Sequence, residues 1–409
     1  MKRVVITGIG LNSPLGNSYD ELYESLKAEK CGIEYLPEFE EIPDLSTKIG
    51  GIVKNLDFKG EIPRKYRRSM GRVAQLNVIS TADAIADAKL SQELLSSKKC
   101  GISFGSTMGA DEEIFRWISE VHEQKSYKAQ NSMAFLKVMS HTVAANIAQM
   151  FEIKGRNIPT CSACTSSAQA IGVGYESVKY GMSDIMICGG AEGQHHLSAG
   201  IFDVLGAASS NHNHEPHKAS RPFNHSRDGL VISEGSGAIV LEELEHALAR
   251  GAKIYGEIIG YATSCDGSHL TTPSKEGMQS VMEWSLEDAH LKPEQIDYIN
   301  AHATATEKGD IAESHATFSV FGGNTPISST KGHMGHLLGG CGVVESVICL
   351  LALNKSFLPK TMNFESLDPE CAEINVLAKN ENKDCKIVMN NNFAFGGINT
   401  SLIFQEYKG

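Results

Sequence analysis

The stretch Pro159-Thr160-Cys161-Ser162-Ala163-Cys164-Thr165-Ser166-Ser167-Ala168 sets how the whole chain is read. From Thr160 to Ser167 every residue is small apart from the sulfurs, so the backbone can turn tightly and a substrate can come close. An amphipathic pattern opens directly behind it, from Ala168 to Tyr180, with Gly181 placed to end a helix. A thiol at a helix start meets unpaired N–H groups and the positive end of the helix dipole, which favour thiolate. The same N–H groups can hold a developing oxyanion. The spacing Cys161-x-x-Cys164 also permits a redox pair or part of a zinc site, although without a second CxxC the other zinc ligands would have to be distant. An inert buried thiol is the commonplace alternative.

Short apolar runs surround this turn: Val4-Val5-Ile6, Ile185 to Cys188, Ala238 to Leu241, Tyr298-Ile299-Asn300 and Ile387-Val388-Met389. Such runs suit strands buried on both faces of a layered α/β protein. Helical patterns lie between them, at 168–180, 281–289 and 342–353, the last apolar nearly all round and so expected to be buried. A chain of 409 residues is too long for one simple core. A weak duplication suggests two halves, 1–250 and 251–409, with the turn and helix near 160–190 answered by a turn and helix from His302 to Ser319. The net charge of −12 excludes a general nucleic-acid binder. No apolar run reaches the roughly 20 residues of a membrane span, and ten scattered cysteines form no disulfide framework. A cytoplasmic enzyme with reduced thiols is expected.

Two histidines stand out downstream. His302, in Asn300-Ala301-His302-Ala303-Thr304-Ala305-Thr306, follows a strand and would lie at its C-terminal end, where α/β folds carry their chemistry. Thr304 and Thr306 offer alternate hydroxyls to an amide-bearing substrate arm. His336 sits in Lys331-Gly332-His333-Met334-Gly335-His336-Leu337-Leu338-Gly339-Gly340, where glycines allow close backbone approach and Lys331 could reach the same cavity. His333 competes with it, but reads better as a surface loop residue. Phe393-Ala394-Phe395-Gly396-Gly397 follows a strand and suits an oxyanion hole, a gate or simply a tight turn. Arg64-Lys65-Tyr66-Arg67-Arg68 is a dense basic cluster, either solvated or docking an acidic partner. The histidine-rich loop 212–217 offers metal ligands without a carboxylate geometry.

Taken together and in this order, these segments resemble the β-ketoacyl-acyl-carrier-protein synthases, close to the ketosynthase II subgroup. Supporting segments are Gly189-Gly190-Ala191-Glu192, Ala219-Ser220-Arg221-Pro222-Phe223, Arg227-Asp228-Gly229 and Val344-Glu345-Ser346. The resemblance covers Val4 to Phe404. It implies the thiolase fold, two similar α/β halves in a layered αβαβα arrangement, and a dimer, either of identical chains or with a related ketosynthase subunit. It also implies that Cys164 takes an acyl group from an acyl carrier protein and passes it to decarboxylating malonyl-carrier. The substrates ride on the carrier's phosphopantetheine, so neither cofactor nor metal is expected. The catalytic set would be Cys164, His302, His336, Lys331 and Glu345, with the N–H groups of Cys164 and Phe395 as oxyanion hole. Thr304 and Thr306 would bind pantetheine, Arg64, Lys65, Arg67 and Arg68 would dock the carrier, and Met108 and Asp203 would line the acyl pocket.

The chain departs from the family pattern where His-Gly-Thr-Ser-Thr becomes His302-Ala303-Thr304-Ala305-Thr306 and where Ala394 replaces the gate glycine. Counting on from Cys164 puts Asp203 at a usually apolar pocket position, and a polar group there disfavours a plain saturated chain. A specialised synthase building a polyene or polyketide-type chain is the resulting expectation. Competing readings are a thiolase-like acyltransferase, which would carry a second cysteine near Phe395-Gly396-Gly397, and a non-catalytic partner subunit, which would lack Cys164.

Overall fold

The computed structural model describes residues 1–128 and 130–409. Ten strands carry the architecture: β1 Val4–Asn12, β2 Cys100–Gly105, β3 Asn157–Thr160, β4 Ile185–Glu192, β5 Gly235–Glu243, β6 Gly256–Cys265, β7 Tyr298–Asn300, β8 Pro326–Ser328, β9 Ile387–Ala394 and β10 Ile398–Gln405. They run β8-β7-β9-β10-β6-β1-β5-β4-β2-β3 across one sheet, with the short strand Asn375–Val376 beyond β8. From either outer edge inward, each half follows the same order: third, second, fourth, fifth and first of its own strands. Pair directions repeat too. β2 is parallel to β3 and β4, as β7 is to β8 and β9, and the remaining pairs within each half are antiparallel. The halves join where Val4–Ile6 of β1 pairs with Gly256–Ile258 of β6.

This order corrects the duplication as read from the sequence. The turn and helix after β3, carrying Cys164 and helix Ser166–Lys179, correspond to the turn and helix after β8, carrying His336 and helix Cys341–Lys355. The segment from His302 into helix Glu307–Phe321 follows a second strand, not a third. Sequence similarity misled because both segments combine a small-residue turn with a helix.

Burial explains the layering. Helices Ser166–Lys179 and Cys341–Lys355 pack against each other between the two halves of the sheet, touching β4 and β2 on one side and β9 on the other. The second helix is buried from Cys341 to Leu353, which is why its sequence is apolar on every face. Helix Arg72–Asp87 covers β1 and β5 from outside, and helix Lys275–Asp288 covers β6 and β10. Most strands are buried along their length, so they read as continuous apolar runs instead of alternating ones. β3 differs. It is an outer edge strand with alternating exposure along its length.

Candidate active site

The nucleophile turn is built by its own small residues. Thr165 Oγ1 donates to Ser162 O at 2.7 Å, Ser166 Oγ donates to Ala163 O at 2.7 Å, and Thr160 Oγ1 donates to Ser166 O at 2.8 Å. Larger side chains could not close these local bonds. Ala163, just before the nucleophile, is held at φ 49°, a strained conformation for a residue with a β-carbon. Close packing behind the turn requires glycine at 105, where a Cβ would sit 2.4 Å from the Ser166 carbonyl carbon. The helix behind ends as its sequence suggests, with Gly181 at φ 73° and its N–H bonded to Val178 O.

Cys164, His302 and His336 converge. Cys164 Sγ lies 3.0 Å from His336 Nε2, the two imidazoles meet edge to face with centroids 5.2 Å apart, and one donor atom from each residue lies within 4.8 Å of the others. All three are buried at one end of a cavity of about 350 Å³. His302 follows β7, with its backbone N–H held by Glu313 Oε1 at 2.8 Å. His336 is fixed by backbone pairing with Val231 and Ser233. This pairing needs Gly335 at φ 75°, where a Cβ would meet Ser233 Oγ at 1.9 Å. The same reversal sends His333 elsewhere. It is fully buried, with its ring nitrogens at 3.0 and 3.2 Å from the Lys30 and Lys360 carbonyls, so it is a structural residue and not a surface loop histidine.

Electrostatics set the protonation states. Burial, and then the Lys331 charge, hold both His302 and His336 well below the usual imidazole range, so both are neutral at physiological pH. Burial pushes the Cys164 thiol up to about 12, against the pull of Lys331. Desolvation therefore outweighs the helix-start effect expected from the sequence, and the resting pair is a neutral thiol against a neutral imidazole. Lys331 forms a fully buried ion pair with Glu345. Burial is the largest single influence and pulls the lysine down, but the charge and hydrogen bond of Glu345, with the smaller pull of Cys341 and Glu313, together outweigh it and keep the ammonium protonated. Glu345 also accepts from Asn392 Nδ2 at 2.6 Å.

Thr304 and Thr306 line the cavity with their hydroxyls 3.1 Å apart. The methyl groups of Ala303 and Ala305 are absorbed into buried surroundings. Phe395 also lines the cavity, stacked on Phe202 at 5.5 Å between centroids. The loop holding Phe395 is a tight β-hairpin turn as well, with Gly396 and Gly397 at φ 91° and 71°. It is tied to a neighbouring loop by Gly396 N–H to Leu270 O and Asp266 N–H to Gly397 O, both at 2.7 Å.

Two residues expected in the acyl pocket do not line this cavity. Asp203 is not on the cavity wall. Its carboxylate accepts from the Ser46 and Thr47 N–H groups at 2.8 and 3.3 Å, and its neighbour Phe202 faces the cavity instead. Met108 is also off the wall, with its N–H on Glu192 Oε1 and its sulfur 3.6 Å from Ser198 Oγ. In the basic cluster, Arg64, Lys65 and Arg68 are exposed, whereas Arg67 is half-buried and donates to the Phe58 and Ile62 carbonyls. Among the described residues, neither loop 212–217 nor the Cys161/Cys164 pair by itself forms a metal-ligating group.

Several contributors lie outside the set expected from the sequence. Asp310 and Glu313 are buried on the inner face of helix Glu307–Phe321. Asp310 accepts from Thr304 N–H and Phe223 N–H, and Glu313 from His302 N–H. Their i, i+3 spacing on a helix that follows a polar turn was the available signal. Glu192 is fully buried and accepts from Ser106 Oγ, Thr107 N–H, Met108 N–H and Gly339 N–H, tying the loop after β2 to the segment that carries His336. Burial pushes its carboxyl up to about 7.

Comparison with known proteins gives matches along the whole chain. The family model for the β-ketoacyl synthase N-terminal domain matches residues 1–247, and that for the β-ketoacyl synthase C-terminal domain matches residues 255–365. The 3-oxoacyl-[acyl-carrier-protein] synthase 1 of Haemophilus influenzae is 40% identical, and that of Escherichia coli K12 is 38% identical, each with full coverage of both chains. Among solved structures, a β-ketoacyl synthase from Burkholderia phymatum superimposes with a TM-score of 0.97 at 41% identity, and the ishigamide ketosynthase/chain length factor with 0.93 at 30%, again over the full length of both chains. A type II PKS acyl-carrier protein in complex with its ketosynthase bound to the hexaketide gives 0.90 at 28% over both full chains.

Proposed function

The chain belongs to the β-ketoacyl synthase family, and we infer from that premise how its residues divide the work of an acyltransferase with the thiolase fold. The reaction is the decarboxylative condensation of an enzyme-bound acyl group with malonyl-acyl-carrier protein, giving 3-oxoacyl-acyl-carrier protein. The observation that carries the assignment of roles is the 3.0 Å approach of Cys164 Sγ to His336 Nε2 with His302 beside them.

Because the resting thiol is neutral, attack needs a base. His336 takes the Cys164 proton as sulfur adds to the carrier thioester, and the departing pantetheine thiolate takes that proton back. The N–H groups of Cys164 and Phe395 hold the tetrahedral oxyanion. In the second stage, malonyl-carrier loses CO2, and neutral His302 and His336 donate N–H bonds to the enolate oxygen. The enolate carbon then attacks the acyl thioester, the bond between the acyl carbon and Cys164 Sγ breaks, and the expelled thiolate takes up a proton from solvent. The Lys331–Glu345 pair supports this stage from behind by keeping both imidazoles neutral. Thr304 and Thr306 bond the pantetheine amides, and Arg64, Lys65 and Arg68 receive the acidic carrier. Arg67 serves the local fold.

The chain works as a homodimer in this reading. β3 leaves one edge unpaired, and Phe115, Ile118, Phe135, Ile201 and Val204 on helices Asp111–Gln124, Ser132–Val138 and His196–Val204 are exposed. Light scattering reads the dimer directly, and a stable monomer would refute it. Ten free cysteines accord with a reducing, cytoplasmic setting. The specialised-chain reading loses Asp203 as support and rests on the stiffened gate at Ala394.

Incubation with a panel of acyl-carriers and malonyl-carrier, read by intact mass, tests the roles. Acyl groups should load on the native chain and not on Cys164→Ala. Loading on that variant would show that the nucleophile lies elsewhere.

A further inference from the structure

The reacting triad is also a donor set of one sulfur and two imidazole nitrogens. All three side chains are buried at a cavity that opens to solvent, and their donor atoms lie within 4.8 Å of one another. Zn²⁺ takes this ligand combination readily, and three protein ligands with one open position is the arrangement in which it keeps an exchangeable water. A zinc tetrahedron spaces its S and N donors about 3.5 Å apart. Cys164 and His336 stand at 3.0 Å and would open by about 0.5 Å, while the remaining separations, at most 4.8 Å, would close by about 1 Å or less through movement of His302. Neither His302 Nδ1 nor His336 Nδ1 has a hydrogen-bond partner among the described residues. The protein therefore fixes neither tautomer, and either ring can offer a lone pair or an N–H to the cavity. The nearby Lys331 charge, which works against a cation here, is paired with Glu345.

We propose that Cys164, His302 and His336 form a reversible binding site for Zn²⁺, completed by one water, whose occupation competes with acyl loading. On binding, the thiol releases its proton to solvent, one Zn–S and two Zn–N bonds form, and the ion gives up the waters they replace. No redox step is involved. The ion is an inhibitor of the site and not a participant in condensation.

The test uses the full-length protein stripped of metal. Zn²⁺ is titrated against a chromophoric chelator, and Cys164 alkylation by iodoacetamide is followed by peptide mass with and without the ion. The expected result is one equivalent bound, alkylation slowed at least tenfold, and full recovery with EDTA. Co²⁺ in place of Zn²⁺ should give a thiolate-to-cobalt charge-transfer band that Cys164→Ser removes, and His302→Ala should weaken binding at least tenfold. Cys161→Ser and the double variant His212→Ala/His214→Ala should bind as the native chain does. Unchanged alkylation of the native protein at saturating Zn²⁺ overturns the proposal, whatever the variants do. So does binding that survives Cys164→Ser, or that is lost with Cys161 or with the histidine loop. Because alkylation is read without any condensation, a failure here leaves the carrier-loading experiment to be judged separately.

Discussion

Replacing Lys331 by methionine separates what the buried ion pair does for stability from what it does for the imidazoles. Lys331 and Glu345 are both almost fully buried, and Asn392 supplies Glu345 with its other bond. Removing one partner of such a pair strands a carboxylate in a low-dielectric interior and costs about 3–5 kcal/mol, whereas replacing both by apolar groups is close to neutral. Lys331→Met should therefore lower the unfolding free energy by an amount in that range, and Lys331→Met/Glu345→Met should recover most of it. The stranded Glu345 would have a folded pKa above its unfolded one. Its protonated form is then the stable one, so the single variant should regain stability as the pH falls towards the ordinary carboxylate range and lose it as the pH rises. Activity should not follow stability. After burial, the Lys331 charge is what depresses the pKa of both imidazoles, so its loss in either variant lets those values rise. A histidine that must be neutral then becomes charged at a higher pH, and the acidic limb of the malonyl-carrier decarboxylation profile moves up in pH in the double variant as well. The assay pairs urea melts with the decarboxylation pH profile. A double variant as unstable as the single one, or an acidic limb that stays in place, would refute the reasoning.

His302→Ala and His336→Ala should each slow malonyl-carrier decarboxylation by about 10²–10³, the typical loss for one oxyanion donor. Only His336→Ala should also slow acyl loading, as read by intact mass, because only that ring touches Cys164 Sγ. Glu192, raised to about 7, contributes stability that is fully present below its unfolded pKa and lost as the pH rises through 7. Glu192→Gln should remove that part of the pH dependence, on the order of 3 kcal/mol between pH 4.5 and 8, in denaturant melts across pH. The triple variant Arg64→Glu/Lys65→Glu/Arg68→Glu should raise KM for the acyl-carrier at least tenfold at low salt and much less at high salt. Rates with a small thioester in place of the carrier should not change.

Much of the site was legible because its chemistry sits where local sequence dictates backbone shape. A run of small hydroxyl residues makes the Cys164 turn, and a short β-run ending at Asn300 puts His302 at a strand's end. What escaped was direction. Along a helix each residue turns the side chain by about 100°, so a count that lands one position off exchanges the cavity-facing Phe202 for the outward Asp203. His333 and His336 are three residues apart, but the left-handed Gly335 between them reverses the path, and adjacency in sequence could not reveal which ring enters the cavity. The thiol was misjudged for a different reason. Dipole and burial act on it in opposite senses, and only packing gives the size of the second. Glu192 works through backbone N–H groups distant in sequence, a partnership that residue spacing does not encode.

The repeated strand order has a consequence for how such a centre can arise. Two identical chains related by a twofold axis must carry the same side chain at equivalent positions, so any pairing of unlike groups would have to appear twice. Here the turn after β3 and its counterpart after β8 meet across the junction of the halves but belong to one polypeptide. Each was free to diverge, one towards a nucleophile and the other towards its base. Asymmetric chemistry at a near-symmetric junction is what joining the two copies in a single chain made available.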